Sequence, residues 1–373
     1  MNLDFSDDQK LLRETAREFL AERSPLSLCR RVLEDDAEPF AADLWSELGQ
    51  MGWLGTTIPE RHGGAGYGHL ELALLCEELG RALAPVPFGS SVTLATELLL
   101  LAGSEEQRAR ELPRLASGAR VGTLAVAEGP GPLRPEALGA RLKSGRLTGT
   151  KRAVPDGTAA HFCIALAASD RGPTLALVDL EAGGVRRKPI PSLDPSRPLS
   201  RLHFDDAAAE TLGDEGAGWR LFETLRERAA VLQAFEQIGG AERALELTRA
   251  FTLERHAFGR PVASYQALKH RMADLYVALE LARSHAYYAA WALSTNAPEL
   301  SEAACSARIA ACRAFELAST EMIQMHGGVG YTWEYDCQLF YRRAKALAIS
   351  LGSTREWTDR LVESFARSSA VGA

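Results

Sequence analysis

The chain has 373 residues, of which 46% are hydrophobic and 24% are charged. This composition is typical of a folded, soluble protein with two or three domains, and it excludes a largely disordered chain. The 42 lysines and arginines against 49 aspartates and glutamates give a net charge of −7. A surplus of negative charge argues against a duplex nucleic acid as partner, although a local basic patch remains compatible with it.

Targeting and metal-binding signals are missing from the sequence. Asp4, Asp7 and Asp8 replace the basic residues of a signal peptide, and the longest apolar run, around residues 98–102, is too short to span a bilayer. We therefore expect a cytoplasmic protein without a membrane segment. The six cysteines and eight histidines form no C-x-x-C or H-E-x-x-H motif, so we predict no metal site and expect the cysteines to be small core residues.

The first 119 residues are predicted to form an N-terminal helical domain. Apolar residues recur there at intervals of three and four, at Leu11, Leu12, Ala16, Phe19 and Leu20, and again over 70–83. Prolines and a glycine cluster at 63–68 separate the helical stretches.

Residues 120–213 are predicted to form a middle antiparallel β domain. Residues 121–126 are one candidate strand. Arg141-Leu-Lys-Ser-Gly-Arg-Leu predicts one β-hairpin with its turn at Ser144-Gly145. Asp170-Arg171-Gly172-Pro173 separates two short apolar runs, 163–167 and 174–178, and predicts a second hairpin.

Residues 214–373 are predicted to form a C-terminal four-helix bundle. The helical period returns after Trp219 in long stretches, and an alanine-rich run over 303–318 would let helix axes approach closely. The order of helices, strands and helices differs from the alternation of a Rossmann fold. The predicted class is α+β and mainly α.

Two motifs in the C-terminal segment have residue types that suit a ligand. Arg255-His-Ala-Phe-Gly-Arg-Pro, followed by Gln266, lies where one long helix should end, with Gly259 supplying the break. A guanidinium at such a corner could bind a diphosphate bidentately. Gln324-Met-His-Gly-Gly-Val-Gly has three glycines that would let the backbone approach a ligand. Taken singly, each motif is better explained as an ordinary helix end.

Taken together and in order, the motifs resemble those of the acyl-CoA dehydrogenase family over the whole chain. The resemblance also includes Trp53-Leu-Gly-Thr-Thr-Ile-Pro-Glu-Arg-His-Gly-Gly-Ala-Gly and Glu77-Glu-Leu-Gly-Arg, and Glu334 after the glycine motif. It is closest to actinobacterial members, among them the heteromeric dehydrogenases of steroid side chains.

The resemblance implies an FAD site at a subunit interface, in a homo-oligomer (dimer or tetramer) or in a heterotetramer with a homologous subunit. The cofactor contacts carried over to this sequence are Arg255, Phe258, Gln266, Gln324, Gly327 and Gly328. The implied reaction is α,β-desaturation of an acyl-CoA thioester, with electrons passed to an electron-transfer flavoprotein.

The catalytic base is the main departure from the family pattern. Desaturation needs a carboxylate that removes the α proton. Leu351 occupies the position of the usual glutamate, and Ala229 occupies the position used by a minority of members. Glu227 and Glu236 on the same predicted helix are the substitute candidates, although each is better explained as a solvated or salt-bridged helix carboxylate.

The two stretches that correspond to the family's flavin-facing segments also differ from the family pattern. The family's Thr-Glu-Pro-Gly-Ala-Gly-Ser is replaced by Ala127-Glu-Gly-Pro-Gly-Pro-Leu, and a Trp-Ile-Thr segment that covers the flavin ring is replaced by Ala153-Val-Pro. Three hypotheses stay open: an active dehydrogenase with a relocated base, a subunit of a heteromeric dehydrogenase that lacks its own base, and a non-redox acyl-CoA-binding paralogue.

Overall fold

The computed structural model of the protein describes residues 5–35 and 38–371. Helices, strands and helices follow one another in the predicted order, which confirms a mainly helical α+β fold. The domain limits 1–119, 120–213 and 214–373 stay a prediction. No helix within the described residues is both long and apolar enough to cross a membrane.

The regular elements of the described chain are numbered in chain order. The α-helices are α1 (Asp7–Arg23), α2 (Leu26–Glu34), α3 (Ala42–Gln50), α4 (His69–Arg81), α5 (Glu97–Ala102), α6 (Glu105–Ala116), α7 (Gly218–Glu254), α8 (Gln266–Thr295), α9 (Leu300–His326), α10 (Cys337–Ser350) and α11 (Thr354–Val371). The strands are β1 (Gly122–Ala125), β2 (Arg141–Lys143), β3 (Arg146–Pro155), β4 (Phe162–Ser169), β5 (Gly172–Asp179), β6 (Val185–Ile190), β7 (Leu199–Ala208), β8 (Glu210–Leu212), β9 (His256–Ala257) and β10 (Arg260–Pro261).

Residues 31–68 and 85–229 form one compact unit, which contains the large sheet. The strand order is β6-β7-β3-β2-β4-β5-β8, with β1 beside β4. Both predicted hairpins are confirmed, as β2–β3 and β4–β5. Ser144 and Gly145 have positive φ at the first turn, as a tight hairpin turn requires.

The sheet is not purely antiparallel. β4 pairs in parallel with β1 and with β2, which differs from the simple antiparallel sheet expected from the hairpins. The chain reverses direction after β2 and again after β3. β4 therefore runs in the same direction as β1 and β2. Buried side chains of the sheet form one core with helical residues of the same unit, among them Ile164, Leu177, Leu112 and Phe222.

The second compact unit contains residues 69–84 and the chain from 230 onward, with the N-terminal residues up to 30. Within it, α9 packs against α8, α10 and α11. A side chain at Gly80 of α4 would overlap the carbonyl oxygen of Glu236 of α7, and one at Gly239 would overlap the carbonyl oxygen of Glu77. These two glycines therefore let the backbones of α4 and α7 touch. All six cysteines of the chain are buried, as predicted.

Candidate functional site

The first motif forms a small hairpin directly after α7. The helix ends at Glu254, and β9 pairs with β10 across a turn made by Phe258 and Gly259. Both turn residues have positive φ, 53° and 80°. Two successive positive φ angles are typical of the tight turns that join hairpin strands. The motif lies between α7 and α8, as predicted; α7 already ends at Glu254, and Gly259 forms the turn of the hairpin in the break.

The cofactor residues predicted in this motif point into open space. Arg255 and Gln266 are exposed, and Phe258 is 97% exposed. Among the described residues no carboxylate pairs with the Arg255 guanidinium, whereas Arg260 lies 4.0 Å from the ring centroid of Tyr265. The Tyr265 hydroxyl donates to the carbonyl of Ala257 at 3.0 Å and holds the hairpin in place. A fixed hairpin thus presents an unpaired cation and an uncovered aromatic ring.

The glycine motif begins where α9 ends. His326 is the last residue of the helix, and a 3₁₀ turn follows from Gly327 to Tyr331. A side chain added at Gly327 or Gly328 would meet nothing within 4 Å, so the backbone is accessible there. Gly330 differs, because a side chain there would lie 2.5 Å from the Ile323 carbonyl oxygen. Only the first two glycines leave room for a ligand.

The structure brings the two motifs to the same end of their compact unit. Phe251, in the last turn of α7, stacks on His326 with ring centroids 4.1 Å apart, and Tyr335 contacts both rings edge-on. Burial lowers the pKa of His326, which favours its neutral form in this aromatic cluster. The side chain of Gln324 is exposed in the last turn of α9.

This end of the unit has the donors that a dinucleotide diphosphate needs. The Arg255 guanidinium can bind phosphate oxygens bidentately, and exposed backbone at Gly327 and Gly328 can approach closely. An exposed Phe258 can cover an aromatic base. The residues present therefore fit FAD, and their exposure fits a site completed by a second chain.

Neither of the usual base positions has an acidic side chain. Leu351 follows α10 and its carbonyl accepts a hydrogen bond from Trp357 Nε1 at 3.2 Å. Ala229 is buried within α7. Glu227 is half-buried on the same helix, and the neighbouring Arg228 pairs with buried Glu97 at 3.3 Å.

Glu236 has a partner that sequence reasoning missed. Its carboxylate lies 3.6 Å from Nη1 of Arg343 on α10, and the side chains are 11% and 1% exposed. Arg343 also donates to the carbonyl of Leu83 at 3.3 Å. Glu236 is therefore part of a buried ion pair that joins α7 to α10. The only sequence signal was an arginine on the apolar face of α10, between Phe340 and Leu347.

A second buried ion pair fixes the stretch that matches the family's flavin-facing loop. Lys151 is fully buried, and its ammonium group contacts Glu128 at 2.6 Å and the carbonyl oxygens of Val126 and Leu166. Burial lowers the pKa of Lys151, and Glu128 only partly offsets this effect. Two residues later, Ala153 has a φ of 49° and is exposed. The buried Lys151–Glu128 ion pair, rather than bulky side chains, therefore fixes the loop.

Comparison with known sequences shows the family. The sequence models of the N-terminal and C-terminal acyl-CoA dehydrogenase domains match residues 6–119 and 216–362. The chain is 35% identical over 357 residues to acyl-CoA dehydrogenase IpdE2 of Mycolicibacterium smegmatis, covering 95% of this chain and 98% of that protein. It is 29% identical to mitochondrial isovaleryl-CoA dehydrogenase of Pongo abelii over 94% of this chain and 86% of that one.

Solved structures agree with this result. A single-residue variant of the steroid acyl-CoA dehydrogenase Tcur3481-Tcur3483 superposes with a TM-score of 0.89 and 30% identity, covering 98% of this chain and 99% of that one. The ChsE4-ChsE5 complex of Mycobacterium tuberculosis gives 0.89 and 25% identity with the same coverage. The chain belongs to the acyl-CoA dehydrogenase family, and it is an FAD-dependent oxidoreductase that acts on acyl-CoA.

Proposed function

We propose that this chain is a cofactor-binding subunit of a heteromeric acyl-CoA dehydrogenase, in which a homologous subunit supplies the catalytic base. The observation that carries the proposal is a contrast between the residues proposed to bind FAD and the positions of the catalytic base. Arg255 and Phe258, which we propose as cofactor contacts, are exposed at the hairpin after α7. The base positions hold Leu351 and Ala229, and Glu236 is paired with Arg343.

Loss of the catalytic base should affect desaturation more than loss of a single cofactor contact. The α proton of a thioester is weakly acidic, so a positioned carboxylate must remove it. FAD, when bound, supplies the acceptor for the hydride from Cβ. In this division of labour Arg255 would bind the diphosphate, Phe258 and Gln266 would contact the adenine end, and Gln324, Gly327 and Gly328 would approach the cofactor of the other subunit.

Two comparisons support the proposal. ChsE4-ChsE5 is a complex of two differently named chains, and Tcur3481-Tcur3483 is described as a steroid dehydrogenase. Small residues at Ala127 and Ala153 replace side chains that would otherwise stand beside the flavin. We therefore expect the acyl group to be bulky, and we expect the electrons to pass to an electron-transfer flavoprotein.

The test is the visible absorbance of the protein, expressed alone and together with a homologous chain from the same gene neighbourhood. Anaerobic addition of acyl-CoA thioesters, bulky ones included, should bleach the flavin only in the co-expressed complex. Bleaching in the protein expressed alone would contradict a missing base. A colourless complex that still binds CoA esters would instead support a non-redox paralogue.

A homo-oligomer with its own relocated base is the second candidate. It is favoured by one observation, the half-buried position of Glu227 on α7. If Glu227 is the base, the protein expressed alone should be bleached by substrate, and Glu227→Gln should abolish bleaching while the flavin stays bound. Retained bleaching in that variant would remove Glu227 from the reaction.

A further inference from the structure

A depression on the large sheet is lined mostly by basic side chains. We define the basic depression by its lining residues, which are Thr150, Arg152, Arg186, Arg187, Lys188, Arg201 and His203. They come from three neighbouring strands in the order β6-β7-β3, and all of them belong to one compact unit. The register places His203 beside both Thr150 and Arg186. It also pairs Lys188 with Arg201, so strand pairing brings the cations together.

The cations of the basic depression have no acidic partner in their own chain. Among the described residues, no carboxylate lies within 4.0 Å of a charged atom of these side chains, although the net charge of the chain is −7. Arg187 is held by the backbone instead, because its Nη1 donates to the carbonyls of Thr158 at 3.2 Å and Ala160 at 2.9 Å. Keeping several like charges together costs free energy, which an anionic ligand would offset.

Polar atoms on β7 also suit an anion. Nε of Arg201 is enclosed without a hydrogen-bond partner in the described structure. Buried donors are nearly always hydrogen-bonded, and an anion close to this guanidinium would supply the acceptor. The Thr150 hydroxyl and Nδ1 of His203 lie 2.9 Å apart. This contact fixes the imidazole ring and leaves its Nε2 for another partner.

The size and composition of the basic depression fit a small molecule. Its volume is about 550 Å³, within the range of about 300 to 1,000 Å³ that small-molecule sites occupy. It is lined by seven residues, whereas a protein partner usually contacts about 20 to 30 residues a side. The alkyl stems of the arginines and the ring of His203 supply apolar surface beside the charged groups. Guanidinium groups also stack on planar rings, so a nucleobase suits this lining.

The number and spread of the cations favour a ligand with more than one phosphate. Five cations line the basic depression, whereas one phosphate monoester carries a charge of only about −1.5 to −2 at neutral pH. β6 and β3 flank β7, and two strand spacings of about 4.8 Å separate them by about 10 Å. Guanidinium groups distributed over this width can each bind phosphate oxygens bidentately.

We propose that the basic depression binds a small molecule with two or more phosphate groups, of the nucleoside polyphosphate class. The phosphates contact the guanidinium and ammonium groups, and the base packs on the alkyl stems and the His203 ring. Protection of the sheet edge does not explain these cations. Arg201 and Arg152 lie on β7 and β3, which are paired on both sides, so charges there do not protect an edge.

Calorimetric titration of the oxidised, FAD-loaded protein with ATP tests this site, and the measurement needs neither a catalytic base nor an acyl substrate. Binding of ATP should weaken as salt rises, because salt screens exposed charges. Inorganic triphosphate should bind as well and adenosine should not, because the phosphates provide the charge. Failure of both ATP and inorganic triphosphate to bind at low salt would overturn the proposal. Binding of adenosine as tight as that of ATP would also overturn it.

Substitutions locate the binding in the basic depression. Arg186→Glu/Lys188→Glu should weaken ATP binding by at least about tenfold, because two attractive contacts become repulsive. The matched control is Arg134→Glu/Lys143→Glu, which changes the net charge by the same amount at exposed positions of the same unit. Equal weakening by the two double variants would overturn the proposal. Arg152→Gln should also weaken ATP binding, and wild-type affinity in this variant would overturn the proposal if the double variant fails to fold.

An acyl-CoA substrate has several phosphates too, so a further measurement distinguishes the two sources of this chemistry. Binding of a non-oxidisable acyl-CoA thioether is read separately, from the change that it causes in the flavin absorbance. The affinity for the thioether should be the same in Arg186→Glu/Lys188→Glu and in the wild-type protein. A parallel loss of affinity for ATP and for the thioether would assign the basic depression to the substrate and overturn a separate site.

Discussion

Replacing Glu236 by glutamine distinguishes a structural carboxylate from a catalytic one. The Arg343 side chain is 1% exposed and its Nη1 lies 3.6 Å from the Glu236 carboxylate, so glutamine would remove a counter-charge from a buried guanidinium. Removing one partner of a buried pair costs roughly 3 to 5 kcal/mol in other proteins, and we expect about 3 kcal/mol here. The lower end applies because Arg343 keeps its hydrogen bond to the carbonyl of Leu83.

The assay is equilibrium unfolding in urea, followed by circular dichroism, with the flavin content measured in parallel. Glu227→Gln is the matched control, because Glu227 lies on the same helix but is half-buried. We expect that control to change the free energy of unfolding by less than about 1 kcal/mol. A Glu236→Gln protein with wild-type stability that no longer bleaches with substrate would refute the structural assignment and identify Glu236 as the base.

Three further substitutions test other parts of the structure. Gly80→Ala should lower the free energy of unfolding by about 3 kcal/mol, because the overlap with the α7 backbone outweighs the roughly 1 kcal/mol that alanine gains in a helix. Gly328→Ala is the control: space is open there, so this substitution should leave urea unfolding unchanged. Arg255→Ala should lower the flavin retained after gel filtration without changing the unfolding midpoint, and unchanged flavin content would remove Arg255 from the site. Lys151→Met should cost about 3 kcal/mol, whereas exposed Lys143→Met should stay within experimental error.

Local patterns in the sequence were sufficient for the elements and their order. The two hairpins were predictable because Ser144-Gly145 and the turn after β4 are short-range signals. The Glu77-Glu-Leu-Gly-Arg motif was recognisable, but its purpose was not. The structure shows that Gly80 lets α4 touch α7, while Glu77 pairs with Arg283 of α8.

Contacts between residues that are distant in sequence were not predictable. The partner of Glu236 is on α10, and no local pattern relates the two positions. The basic side chains of β6 and β7 also come together only through the strand register, in which Lys188 pairs with Arg201 and Arg186 with His203. A shift by one residue would turn alternate side chains to the other face, so composition alone could suggest a basic patch but could not place one.

The turn at Phe258 shows why the proposed cofactor end of this chain suits an assembly. A phenylalanine at a φ of 53° is strained, and left-handed backbone costs roughly 1 to 2 kcal/mol for a residue with a side chain. The ring gains nothing in return within its own chain, because it is 97% exposed. Glycine or asparagine would relieve the strain at this position. The presence of phenylalanine at this position is therefore explained only if a ligand or a second chain covers the ring. Burial of the ring would stabilise the complex by about 1.5 to 3 kcal/mol, which is enough to offset the backbone strain.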